Sequence, residues 1–225
     1  MMRKTLVLAF VFGLVGCTVS EQDRTEQEVN AAGEVLAPLP EEDERSWRQP
    51  EVIISVMPML VGKTVGNLYA GDGFYAFELA KTGARVIATD PDPANVERMI
   101  ARKKKEGLGD DVLLVRHAPE GTTGLEQNEA DMALVVHSYR SIPDRIGFFQ
   151  RLRLQLNAPR PLIMVDFNPE ASPVGPPMDM RMLDREVMDE MDQVGYTDIG
   201  SYSKKLPYQW LMIAQDFVEM PEGLE

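Results

Sequence analysis

The sequence predicts an α/β fold: a mostly parallel, doubly wound sheet of seven strands, covered by helices on both faces, with an antiparallel last strand. Three observations carry this. Residues 64–90 read as a βαβ unit with a glycine turn between the first strand and its helix. The following strand segments are continuous apolar runs alternating with helical segments, as in a parallel sheet buried on both sides. The last two strand segments are separated by Leu206 and Pro207, too close for a helical crossover, so they pair antiparallel.

In chain order, Pro50 suits a first helical turn, and Val52, Ile53, Val56, Met57 and Leu60 recur at helical spacing before Gly62, predicting a helix ahead of the sheet. Residues 65–70 form the first strand, Gly71, Asp72 and Gly73 the turn, 74–81 a helix and 85–90 the second strand. Residues 91–105 read as a helix, and a third strand over 111–116 is reached through Gly107 and Gly109. A fourth strand covers 130–137, a helix 143–156 and a fifth strand 161–166. A Pro- and Gly-rich loop over 168–177 precedes a helix over 181–194 that stops at Gly195. Strands over 197–203 and 209–217 close the chain, with no internal repeat and no second domain.

The N-terminus has a different character. Arg3 and Lys4 precede an apolar run over 5–15 that ends at Gly16 and Cys17, the one cysteine in the sequence. This resembles a bacterial lipoprotein signal, in which residues 1–16 are removed and Cys17 is acylated. The run is shorter than the about 20 apolar residues that a spanning helix needs. Residues 17–44 are rich in Glu, Asp, Gln and Ala and read as an acidic flexible tether to a single domain over 45–225. The expected localisation is the cell envelope, with the domain held at a membrane through Cys17.

A formal net charge of -13 argues against a nucleic-acid partner, because phosphate neutralisation needs a clustered positive face. The basic cluster Arg102 to Lys105 suits the C-terminal end of a helix. Oligomeric state is not legible.

Ligands of doubly wound sheets bind outside the carboxyl ends of the strands. Here those ends deliver Tyr69 to Gly73, Asp90, His117 with Glu120, His137 to Arg140, and Asp166 to Asn168. The glycines allow close approach of backbone amides to a ligand, and Asp90 suits ribose hydroxyls. No closely spaced ligand pair accompanies His117, His137 and Asp166, so no metal site is expected. Either histidine alone is equally served by a structural hydrogen bond to backbone.

Residues 45–216 together resemble the class I S-adenosylmethionine-dependent methyltransferases, including a bacterial branch that often carries secretion signals. The resemblance lies in NLYAGDGF over 67–74 against the family's D/E-x-G-x-G-x-G loop and in VIATDPDP closing the second strand. It continues in ADMALVVHS from Ala130, PLIMVDF from Pro161, and the terminal pair containing LPYQWLMIAQD. It implies a three-layer Rossmann-like methyltransferase fold with S-adenosylmethionine as cofactor. Ala70, Gly71 and Gly73 would accommodate the methionine moiety, Asp90 the ribose, and His117 and Ala118 the adenine. The sequence departs from the pattern at three positions. Asn67 stands for the acid that orients the methionine amino group, Tyr69 for the first glycine, and His117 for the acid commonly paired with adenine. The expected cofactor-contacting set is therefore Asn67, Tyr69, Ala70, Gly71, Gly73, Asp90, His117, Ala118 and His137. Tyr69, His137 and Tyr139 are the candidates for catalysis or substrate contact.

Three functions remain open at this stage: a methyltransferase acting on a small molecule, a methyltransferase-fold lipoprotein that binds a ligand or partner without turnover, and a nicotinamide-dependent oxidoreductase. The last rests on the match of residues 71–76 to G-x-G-x-x-A, a weak signal opposed by the terminal antiparallel strands.

Overall fold

The computed structural model describes residues 41–217; Cys17, the signal segment and the tether up to residue 40 lie outside the described residues. Seven strands form one sheet: β1 (Thr64–Leu68), β2 (Arg85–Asp90), β3 (Leu113–His117), β4 (Met132–Val136), β5 (Leu162–Phe167), β6 (Asp198–Leu206) and β7 (Gln209–Gln215). Their spatial order is β3-β2-β1-β4-β5-β7-β6. β7 runs antiparallel to both its neighbours, and every other pair is parallel. Chain direction across the sheet reverses between β1 and β4, so the carboxyl ends of these two strands flank the crevice where such sheets take ligands.

β4 is buried at every residue and β5 at all but Asp166, which explains their unbroken apolar sequence. One face is covered by α2 (Pro50–Ser55), α3 (Phe74–Ala80) and α4 (Pro93–Glu106), and their shared core includes Ile53, Phe77, Leu79, Met99, Val65 and Leu134. The other is covered by α5 (Arg145–Gln155) and α6 (Asp184–Val194), around Phe148, Leu152, Met191, Leu68 and Trp210. α4 starts where Asp92 accepts the Ala94 N–H with Pro93 at the first turn, and ends at Gly107 with φ 69°.

Two features differ from expectation. An additional helix, α1 (Glu41–Arg48), begins inside the segment expected to be tether. Its anchor is non-local: Arg45 pairs with Glu78 of α3 as well as with Glu51. Between β3 and β4 no helix covers the sheet; the loop over 118–131 does so, with Leu125 packed over Gly66, where a Cβ would lie 3.0 Å from Leu125 Cδ1. That loop is held by polar side chains. Thr89 donates to Thr123 O, Thr123 bonds Gln155, Gln155 donates to Leu125 O, and Arg116 makes a two-pronged pair with Glu129. Other boundaries shift by a few residues: β1 stops at Leu68, α2 is a short helix, and α6 begins at Asp184.

Candidate functional site

β1 ends because Tyr69 takes a left-handed conformation, with φ 51°. Gly71 (φ 60°) and Gly73 (φ 85°) continue the turn into α3. The two glycines serve different ends. A Cβ on Gly73 would lie 2.8 Å from Met99 Cγ and 3.1 Å from Phe77 Cε2, so this glycine lets the loop close onto α3 and α4. A Cβ on Gly71 would meet no atom within 4 Å, so this glycine borders open space at the strand ends. Its N–H donates to Asp90 Oδ2 at 2.7 Å, tying the loop to the end of β2. Asp90 Oδ1 accepts from the Asp92 N–H at 3.0 Å and from Asn95 Nδ2 at 2.9 Å. A carboxylate has about four acceptor positions; these bonds use three and leave one on Oδ2.

Tyr69 stands where the resemblance expects glycine, and its backbone keeps the positive φ that glycine would supply at no steric cost. The side chain leaves the Gly71 region. Its ring edge packs on Phe148 of α5 at 5.9 Å, and its hydroxyl accepts the Gly121 N–H at 2.9 Å. Burial pushes the phenol pKa up, so it stays protonated. Tyr69 therefore staples β1 to the loop after β3. Asn67 is buried; its Nδ2 donates to Leu134 O at 3.3 Å, and its Oδ1 has no partner among the described residues. An unpaired buried amide oxygen suits a donor brought by a ligand or water.

His137, at φ 57°, directly follows β4 and precedes Ser138, whose hydroxyl donates to Tyr69 O. Its imidazole stacks on Phe167 at 4.5 Å and on Trp47 of α1 at 5.6 Å, with Tyr75 edge-on at 6.4 Å. Arginines close both ends of this column: Arg181 over Phe167 at 5.4 Å and Arg48 over Trp47 at 5.3 Å. Loss of hydration, then the nearby Arg48 charge, pulls the His137 pKa down to about 3, so the ring is neutral at physiological pH. Arg181 also gathers the loop over 168–177, donating to the carbonyls of Asn168, Glu170, Val174 and Pro176 and to Ser172 Oγ.

Of the remaining expected residues, Ala118 is buried and its N–H donates to Asp90 O, which sets the β3 loop beside the ribose-type acid. His117 is exposed and bonds the Pro91 carbonyl at 3.1 Å. Tyr139 is buried and packs with Phe149 of α5. A 3-10 turn, Tyr139–Ser141, directs its hydroxyl to Glu190 of α6, which Arg145 also grips through two bonds. Asp166 lies on the α5–α6 side of β5, across the sheet from Phe167, and burial raises its pKa to about 6. His117 and His137 end strands with β2 and β1 between them. At about 4.8 Å per strand that is roughly 14 Å, too far to share one ion. The described residues hold no cluster of metal-ligating side chains. Sequence reading missed Trp47, Gln209, Asn95 and Gly121. Only Asn95 had a local signal, standing in the first turn of the helix that follows Asp90.

Comparison with known proteins bears on this geometry. A methyltransferase-domain family profile matches residues 68–157, from the end of β1 to just past α5. A methyltransferase described as S-adenosylmethionine-dependent, from Aquifex aeolicus, superposes with a TM-score of 0.72 at 20% identity, covering 79% of this chain and 94% of that one. The fold is the class I methyltransferase fold. An S-adenosylmethionine-dependent methyltransferase from Mesorhizobium loti superposes at a TM-score of 0.59 and 13% identity, over 73% of this chain and 96% of its own. Phosphoethanolamine N-methyltransferase 2 from Haemonchus contortus, solved with S-adenosyl-L-methionine, gives a TM-score of 0.62 at 13% identity, over 76% of this chain and 52% of its own. No curated protein matches by sequence. The profile match lies within this fold, and the reversed β7 separates this methyltransferase fold from an ordinary dinucleotide-binding sheet.

Proposed function

We propose that this methyltransferase-fold protein binds S-adenosylmethionine in the crevice bordered by Gly71 and Asp90 and methylates a small-molecule acceptor. One observation carries the reading: Gly71, at positive φ and facing open space at the strand ends, is joined to Asp90 by a 2.7 Å hydrogen bond. The residues present fit the cofactor. The free acceptor position on Asp90 Oδ2 suits a ribose hydroxyl. The unpaired Asn67 Oδ1 suits a donor such as the methionine ammonium, directly or through water. The loop that begins at His117 and Ala118, held to β1 by Tyr69 and Gly121, would flank the base.

Bound there, the cofactor supplies a methyl group on a positively charged sulfur, already activated for in-line displacement. The protein's part is to align the acceptor and keep water out. His137, neutral and at the end of β4, is placed to orient an acceptor by hydrogen bonding; its lowered pKa makes it a poor base. Calorimetric titration of the full chain with S-adenosylhomocysteine tests the reading. Micromolar binding that Asp90→Ala weakens at least tenfold is expected; wild type without binding contradicts it.

A second reading, ligand binding without turnover, is favoured by the Trp47 ring lying directly on His137 and Phe167. Cofactor binding without methyl transfer to any of a broad panel of small-molecule acceptors would select it. We further propose that Cys17 is acylated and holds the domain at a membrane in the cell envelope, which the order basic residues, apolar run, small residue, cysteine supports. Metabolic labelling with palmitate tests this: label lost in Cys17→Ser is expected, and an unlabelled wild type contradicts it.

A further inference from the structure

We propose that α1 is a hinged cover holding Trp47 in the acceptor pocket, and that the ligand displacing Trp47 is a flat, uncharged ring compound with both a hydrogen-bond donor and an acceptor. The proposal rests on the methyltransferase reading for the identity of the pocket. Its observations are separate from those that place the cofactor.

The first observation is the polar chemistry at the contact. Among the described residues, four sealed polar atoms make no well-formed hydrogen bond where α1 meets the sheet: Trp47 Nε1 and Arg48 Nε on the cover, and beneath it His137 Nε2 and Gln209 Oε1, whose side chains lie close to each other but are poorly aligned. Gln209 is wholly buried, and its amide nitrogen donates to the Trp47 carbonyl at a long 3.3 Å. Buried polar groups in native proteins are nearly always paired, so this gathering of poorly satisfied atoms at one small contact points to a site that takes another occupant. A ligand with one donor and one acceptor would satisfy Gln209 Oε1 and, in the matching tautomer, His137 Nε2.

The second observation is the shape of what now fills the site. The indole is planar, uncharged, carries one N–H, and contacts His137 at 5.6 Å and Phe167 at 5.5 Å ring to ring. The walls are Tyr75, Phe167 and His137, with no carboxylate among them. A cation would lose hydration there without a counter-ion, and an anion would meet the Arg48 and Arg181 guanidiniums only at the ends of the column, whereas a planar neutral ring would reproduce the stacking along it.

The third is the hinge. α1 joins α2 through Gln49, held at φ 39° and ψ 61° with no side-chain capping bond. A non-glycine residue in this region is strained, and rotation of α1 would relieve it. The polar bonds from the cover to the body include long ones, such as Gln209 Nε2 to the Trp47 carbonyl at 3.3 Å. Arg45 pairs with Glu78 and Glu51 at a partly exposed position, and Tyr75 Oη donates to Arg48 O at a long 3.3 Å. Charge pairs of that exposure are weak latches.

The test uses the full chain and indole as the probe. Calorimetry should show indole binding to Trp47→Ala at least tenfold more tightly than to wild type. Equal binding to both, or none to a Trp47→Ala protein that still melts cooperatively, overturns the proposal. Hydrogen exchange on wild type gives an independent reading if that variant does not fold. Amides of residues 45–48 should exchange at least tenfold faster than those of β4, and Gln49→Gly, which removes the strain of the closed form, should slow them about fivefold. Exchange of α1 only with global unfolding overturns the proposal. S-adenosylhomocysteine titrated into the same proteins separates the two claims: its failure to bind, with indole binding intact, would remove the methyltransferase reading and leave the covered pocket.

Discussion

Gly71 and Gly73 stand two residues apart, both at positive φ, and an alanine at each separates folding from ligand binding. At Gly73 the new Cβ would sit 2.8 Å from Met99 Cγ, 3.0 Å from its Sδ and 3.1 Å from Phe77 Cε2, at φ 85°. Left-handed strain costs about 1–2 kcal/mol. Overpacking adds about 1–3 kcal/mol, and the reduced entropy of the unfolded chain offsets about 0.4–1 kcal/mol. Gly73→Ala should therefore lose about 3 kcal/mol in urea melts. At Gly71 the strain is similar but no atom lies within 4 Å of the added Cβ. The net loss there should be about 1 kcal/mol, from the same strain and entropy terms. The methyl group would instead occupy the proposed ligand space. Gly71→Ala should lower S-adenosylhomocysteine affinity at least tenfold by calorimetry, with the melt nearly unchanged. A Gly71→Ala protein of full affinity would refute the assignment of that open space to a ligand.

Further outcomes follow from the same structure. Tyr69→Phe removes the acceptor of the Gly121 N–H and should cost about 1 kcal/mol, read in urea melts; no change would mean the staple carries nothing. Arg181→Met strips the loop over 168–177 of its shared donor and should speed limited proteolysis within it; unchanged cleavage would contradict that role. On the acid side of the stability curve, beside carboxylates such as Glu129 and Glu190 held low by arginine partners, two buried groups act with opposite signs. Asp166, raised from 3.8 to about 6, contributes stability that is present below about pH 4 and lost as pH rises through 6. His137, lowered from 6.5 to about 3, contributes stability present above about pH 6.5 and lost as pH falls. Between pH 6 and 4 each changes by up to about 1.4 kcal/mol per pH unit, and they oppose. Asp166→Asn should therefore lose about 2–3 kcal/mol more than wild type between pH 6 and 4 in urea melts; parallel curves would show that Asp166 is not held protonated.

The sheet was legible because its strands are buried on both faces. Residues 132–136 and 162–167 are almost free of polar side chains, and Leu206 and Pro207 leave no length for a crossover. The glycine loop and Asp90 were legible for the same local reason: a tight turn and a strand-end carboxylate. The departures Asn67 and Tyr69 were visible, but not their direction. Where the Tyr69 ring goes depends on a left-handed backbone and on Gly121, 52 residues later. α1 was hidden because its acidic first turn reads as linker, and what fixes it is Arg45 on Glu78, 33 residues away, and Trp47 on His137. The direction of Tyr139 was not legible because strand-end position says nothing of rotation; the 3-10 turn that follows β4 sends its hydroxyl to Glu190.

The central claim is that the Gly71–Asp90 crevice takes S-adenosylmethionine. Its most direct measurement is an amide NMR titration of the full chain with S-adenosylhomocysteine. Saturable shifts centred on Gly71, Asp90 and Ala118, and lost in Asp90→Ala, are the predicted result; a saturating concentration that moves none of these amides would contradict it.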